Sequence, residues 1–145
     1  MNFFAPQLPL DQPRVVAAIG TAELRTAGEI RVVVSRRKTD DPVAAAREQF
    51  ERLGMTQTKL RCGVLIFLAP ASRAFAVIGD TGIHEKCGAA FWSELAEAMN
   101  GHFKRGDFTA GLIHGIERAG ELLAVHFPRS PDDRNELPNE IADAG

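Results

Sequence analysis

The residues whose types and spacing suggest chemistry lie in the loop Gly79-Asp80-Thr81-Gly82. An acidic side chain between two glycines sits where the backbone bends tightly and exposes its carbonyl oxygens. Carboxylate and carbonyl oxygens together suit a hard divalent cation, Ca²⁺ or Mg²⁺. One carboxylate is too few, so the question is which others the fold brings to Asp80. Glu29 precedes a strand-like run and Asp107 precedes a helix-like one; both are candidate ligands with Asp80. Arg61, Lys59 and His84 are candidates for holding a phosphate or a partner, and His84 is suited to move a proton near neutral pH. The same residues also have plain structural readings. Asp80 can stabilise its own turn, Glu29 can pair with Arg61, and Asp107 can cap its helix.

Other routes to chemistry are thinner. His114 and His126 share a helix but are not spaced to share a zinc ion, and Cys62 and Cys87 belong to no metal-ligand pattern. These cysteines read as reduced, mostly buried thiols. His84, three residues before Cys87, gives only a faint thiol–imidazole signal. None of the serines stands in a nucleophile elbow, and there is no P-loop or GxGxxG. The tail run Asp132-Asp133-Arg134-Asn135-Glu136 lacks the glycine and spacing of an EF-hand loop. Arg36-Arg37-Lys38 reads as a solvated loop.

The elements that must position these residues follow from hydrophobic patterning. Val64-Leu65-Ile66-Phe67-Leu68-Ala69 is an unbroken apolar run of strand length, which reads as a strand covered on both faces. It turns at Pro70-Ala71-Ser72-Arg73 and returns as Ala74–Ile78, a hairpin. Ile30, Val32 and Val34 mark an earlier strand, with β-branched residues throughout. Between the two strands, Asp41-Pro42 opens a helix with Val43, Ala46, Phe50 and Leu53 on one face, ended by Gly54. A strand, helix and strand in succession make the first two strands parallel. The hairpin makes the third antiparallel, so the sheet is mixed. The starts of the first two strands and the end of the third then share one rim, which brings Glu29, Arg61 and Asp80 together.

Further helices are predicted near 11–26, over 84–100 and over 108–126. Gly111 and Gly115, one turn apart on the last, predict a close approach to a neighbouring element. Residues 1–127 read as one α/β domain. Residues 128–145 read as an acidic, mobile tail that docks, if at all, through Leu137 and Ile141. The 145 residues suffice for one domain with a real core. The net charge of −2, from 17 Lys+Arg against 19 Asp+Glu, supplies no field for nucleic acid or an anionic membrane. No apolar run reaches membrane-spanning length and the first residues lack a secretory pattern, so the expected compartment is the cytoplasm.

Several of these segments in combination resemble the TPM domain family: GEIRVVVS at 28–35, FERLGMTQTKLRCGVLIFLA at 50–69, FAVIGDTGIHE at 75–85, FW at 91–92 and HFKRGDFTAGLIHGIERAGELLAVHFP at 102–128. ELPNEI at 136–141 is similar to the end of its short bacterial members. The resemblance implies a three-layer α/β/α sandwich with a mixed central sheet flanked by helices. It also implies divalent-cation binding, seen in some members, at the acidic loop that Gly79–Gly82 matches. A plant relative is associated with acid phosphatase activity and an animal relative with a receptor. Many relatives carry a signal peptide and a transmembrane segment, neither of which is read here. The expectation is a small non-enzymatic module that binds Ca²⁺ or Mg²⁺ and acts through an unidentified protein partner. The alternative is a metal-assisted phosphatase in which Asp80 and Glu29 hold the ion and Arg61 or Lys59 steadies phosphate oxygens. A third reading is a purely structural partner-binding domain that uses the tail or the Arg36–Lys38 loop.

Overall fold

A computed structural model describes residues 10–129 and 141–143. Its centre is a sheet of Glu29–Val34 (β1), Gly63–Ala69 (β2), Ala74–Gly79 (β3) and Ala142–Asp143 (β4), in the order β3-β2-β1-β4. β1 and β2 are parallel, from Glu29 opposite Gly63 to Val34 opposite Leu68. β3 runs antiparallel to β2, with Val64 opposite Gly79 and Ala69 opposite Ala74. The mixed sheet is therefore the expected one, with one addition. β4, from the tail, lies parallel to β1 and pairs Val33 with Ala142. Every residue of β1 and of β2 is buried, because both strands are interior and both faces are covered.

The two faces carry separate cores. Ile30, Val32 and Val34 with Val64, Ile66 and Leu68 meet one set of helices. These are Gln12–Glu23 (α1), Thr81–Lys104 (α3) and Phe108–His126 (α4). Val33, Leu65, Phe67 and Ala76 meet Ala46 and Phe50 of Pro42–Arg52 (α2) on the other side. The layers are thus α2, sheet, and three helices. Side-chain caps open α1 and α2: Asp11 accepts from the Arg14 amide at 3.3 Å and Asp41 from the Ala44 amide at 3.0 Å. Met55, the first residue of a short 3-10 turn at Met55–Gln57, fills the α2 core below Gly63.

Two helix boundaries depart from the expectation. α1 ends at Glu23, earlier than 26. α3 starts at Thr81 and runs through Gly101 to Lys104, with non-helical geometry only at Gly88 (φ 73°, ψ −173°). Phe103 explains the longer end: it is buried against Phe75 and Phe108, so the helix continues to deliver it. α4 covers the predicted span, and its glycines act as predicted. A Cβ on Gly111 would come within 2.5 Å of the Phe103 ring, and one on Gly115 would overlap the Met99 sulfur. α3 and α4 therefore approach more closely than side chains at those positions allow.

The β4 edge of the sheet is closed in two ways. The Glu29 and Ser35 amides donate to Cys62 and Leu68 carbonyls on the β2 side, so the Ile30 amide points the other way. It donates to Oε2 of Glu23 at 2.9 Å, and β4 takes over further along, at Val33 and Val34. Ile141 packs against the three-helix core, while Leu137 lies outside the described residues. The end of α4 is tied to the lead into β1: the Thr26 hydroxyl donates to the Phe127 carbonyl, and the Ala27 amide does so at 2.8 Å.

Candidate functional site

Asp80 directly follows β3 and is the N-cap of α3. Its backbone amide donates to the Gly63 carbonyl at 3.0 Å, which fixes it at the rim where β2 starts. Its side chain is 3% exposed, and both carboxylate oxygens are occupied. Oδ2 accepts from Nε of Arg61 at 2.6 Å; Oδ1 accepts from Nη2 of Arg61 at 2.8 Å and from the Thr81 amide at 2.7 Å. This is a bidentate, charge-assisted fork. Hydrogen bonding to Asp80 raises the Arg61 guanidinium above its ordinary value, and the outer part of Arg61 remains in water, its side chain 46% exposed.

The flanking glycines follow from packing at this point. A Cβ on Gly79 would collide with the Trp92 indole. On Gly82 it would lie 2.5 Å from the Leu60 carbonyl oxygen and 2.6 Å from that of Arg61, both backbone atoms. The first turn of α3 is pressed against the 60–61 backbone, where Gly82 N–H donates to Arg61 O at 3.0 Å. Arg61 itself is left-handed (φ 53°), an uncommon conformation for a residue with a side chain. The Gly-Asp-x-Gly loop is therefore a clasp between β3, α3 and the approach to β2.

Glu29 occupies the first position of β1, opposite Gly63, and is buried. It shares the rim with Asp80, the two backbones flanking Gly63 at about 10 Å, or two strand spacings. Asp107 does not join them. α3 is long enough to carry the chain roughly 30 Å, and Asp107 follows it at the other rim. There Arg73, just before β3, donates to the Lys104 carbonyl at 3.0 Å. Asp107 takes the N-cap position of α4 without a side-chain cap bond. Lys59 is exposed two residues before Arg61. His84 is exposed on the first turns of α3, its ring 5.1 Å from the Trp92 ring, so the indole reports on the loop. Among the described residues, no group of three or more His, Cys, Asp or Glu side chains is arranged to hold a metal ion.

Cys62 and Cys87 are not joined in a disulfide, and burial pushes the Cys87 thiol up, away from a reactive thiolate. Sequence spacing puts Glu23 on the first helix but gives it no role. This acid is 2% exposed, and burial first, then the neighbouring Glu29 charge, push it up to about 8 against the pull of the Ile30 amide and Arg129. The available signal was its spacing: it falls on the inward stripe of α1 with Val15, Ile19 and Ala22.

No helix among the described residues is long and apolar enough to cross a membrane. The chain is similar to the BA42 protein of the psychrophilic bacterium Bizionia argentinensis, with 40% identity, a TM-score of 0.88, and coverage of 94% of this chain and 96% of that one. Two more distant structures share the fold. One is the N-terminal domain of a protein from P. gingivalis (19% identity, TM-score 0.63, 79% of this chain and 75% of that one). The other is the N-terminal domain of the cg2496 protein from Corynebacterium glutamicum (18%, 0.62, 81% and 74%). No functionally curated protein matches the chain. The TPM domain pattern spans residues 5–122, which takes in both parallel strands, the hairpin and the clasp. Together with the likeness to BA42 over nearly its whole length, this means that the chain belongs to the TPM domain family.

Proposed function

We propose that this chain is a non-enzymatic TPM module that takes Ca²⁺ or Mg²⁺ at the Asp80 rim and acts through contacts with a protein partner. The observation that carries the reading is the Arg61–Asp80 fork. A buried carboxylate is balanced there by one cationic group whose outer part is already hydrated. A hard divalent ion competes for the same oxygens, and Arg61 swings into water as it enters. Glu29, on the same rim, is the nearest second carboxylate suggested by the strand register. So small a set of charged ligands implies weak binding, with a Kd of about 10⁻⁴–10⁻³ M. Exposed Lys59, Arg61 and His84 form the face a partner would meet, and release of Arg61 changes that face.

The test is a Ca²⁺ and Mg²⁺ titration followed by Trp92 fluorescence and by amide shifts. The expected shifts centre on residues 79–85, vanish in Asp80→Asn and appear at lower ion concentration in Arg61→Ala. An absence of shifts in that segment at millimolar ion would remove the site. Phosphate-monoester hydrolysis that depends on Mg²⁺ and is lost in Asp80→Asn would replace the binding module with the phosphatase.

A further inference from the structure

The face where α3 and α4 meet carries a second group with its own chemistry, remote from the Asp80 loop in sequence. Gly111 and Gly115 let the two helices come together, and His102 lies at the margin of that contact. Its Cβ would be 3.0 Å from a Cβ placed on Gly111. Across the seam, Nε2 of His102 is 3.3 Å from Nδ1 of His114, with the rings nearly perpendicular at 76°. The other nitrogen of His102, Nδ1, is 3.2 Å from Nη2 of Arg105. A guanidinium only donates, so Nδ1 of His102 accepts. Its Nε2 then carries the proton and donates to Nδ1 of His114. Two imidazoles held by two different helices thus share one proton between facing nitrogens.

We propose that His102 and His114 form a bridging site for an imidazole-preferring divalent ion of the first transition row, with Zn²⁺ as the probe. The spacing fits without rearranging the helices: two nitrogens at 2.0–2.1 Å on one tetrahedral zinc are about 3.3–3.4 Å apart. The ion replaces the shared proton. His102 then binds through Nε2 and carries its proton on Nδ1, so Arg105, which is exposed, turns away into solvent. Water fills the remaining positions. Ca²⁺ and Mg²⁺, which take oxygen ligands, are excluded by chemistry. This site is separate from the Asp80 reading and stands or falls without it.

The experiment titrates the full chain with Zn²⁺, and in parallel with Ca²⁺ and Mg²⁺, following imidazole nitrogen shifts by NMR and the melting temperature. With Zn²⁺ the His102 and His114 rings shift together and Tm rises, since an ion that binds only the folded pair stabilises it. His114→Ala, at an exposed position that the fold tolerates, lowers the affinity at least about tenfold and abolishes the Tm rise; loss even of an outer-shell partner costs about that much. His102→Ala does the same, and Arg105→Gln raises affinity severalfold. Zn²⁺ binding unchanged in His114→Ala, ring shifts on His84 or His126 instead, or equal ring shifts with Ca²⁺ would overturn the proposal.

Discussion

Glu23 makes stability depend on pH in a direction opposite to that of most acidic side chains. It is the last residue of α1, where the helix dipole already disfavours an anion. One of its oxygens accepts from the Ile30 amide, and Oε1 has no hydrogen-bond partner among the described residues. Burial keeps the folded group protonated up to about 8, whereas its ordinary value is 4.5. Between those pH values the unfolded chain has released the proton and the folded chain still holds it. Stability is therefore greatest below 4.5 for this group and falls as pH rises, by about 1.4 kcal/mol per pH unit. The total over the window is about 5 kcal/mol, a large share of the 5–15 kcal/mol typical of a domain. Glu23→Gln keeps the shape and the acceptor for Ile30 but cannot ionise. Urea unfolding at pH 5, 7 and 9 is the assay. The variant is expected to match its parent at pH 5 within about 1 kcal/mol and to exceed it at pH 9 by several, a midpoint difference of about 2 M urea. Parallel pH profiles for the two chains would refute the argument, because they would mean that the carboxylate ionises in the fold without penalty.

Two further outcomes follow from the clasp. Gly82→Ala forces a methyl group onto the backbone oxygens of Leu60 and Arg61, which cannot rotate away, so a loss of about 1–3 kcal/mol is expected in thermal or urea unfolding. Asp80→Ala removes the cap of α3 as well as the partner of Arg61; loss of the cap alone is worth about 1 kcal/mol, and amide exchange in residues 81–87 should accelerate more than in α4.

The sheet was legible because its signals are strong and local. The Val64–Ala69 run, the Pro70–Arg73 turn and the β-branched stretch at 30–34 each demand a strand, and chain direction then puts Glu29, Arg61 and Asp80 on one rim. Asp107 was misplaced because its position depends on the length of α3. The glycine-rich stretch 101–106 hides that length, whereas burial of Phe103 reveals it. The Gly79–Gly82 loop was recognised as special, but not because it bends tightly: neither glycine has a positive φ, and the Asp80 carbonyl is taken up by the Ile83 and His84 amides. Glycine there answers to Trp92 and to the 60–61 backbone, contacts between segments distant in sequence that no local pattern displays. The partial face of α2 has the same origin: Ala46 and Phe50 are buried as expected, while Val43 is 47% exposed at a helix end beyond the sheet's cover. β4 left only the neighbouring Ile141 as a hint of docking, since two residues in an acidic tail carry no periodicity.

The arrival time of β4 has a consequence for synthesis. Ala142 is made more than a hundred residues after its partner Val33. At ribosomal speeds this is a delay of about 5–20 s. Through that interval the outer side of β1 lacks its last strand and is open to pairing with another nascent chain. Glu23, made before β1, is available to occupy the Ile30 amide from the start. The same acid whose burial ties stability to pH thus also covers one amide on the side of β1 that waits for β4.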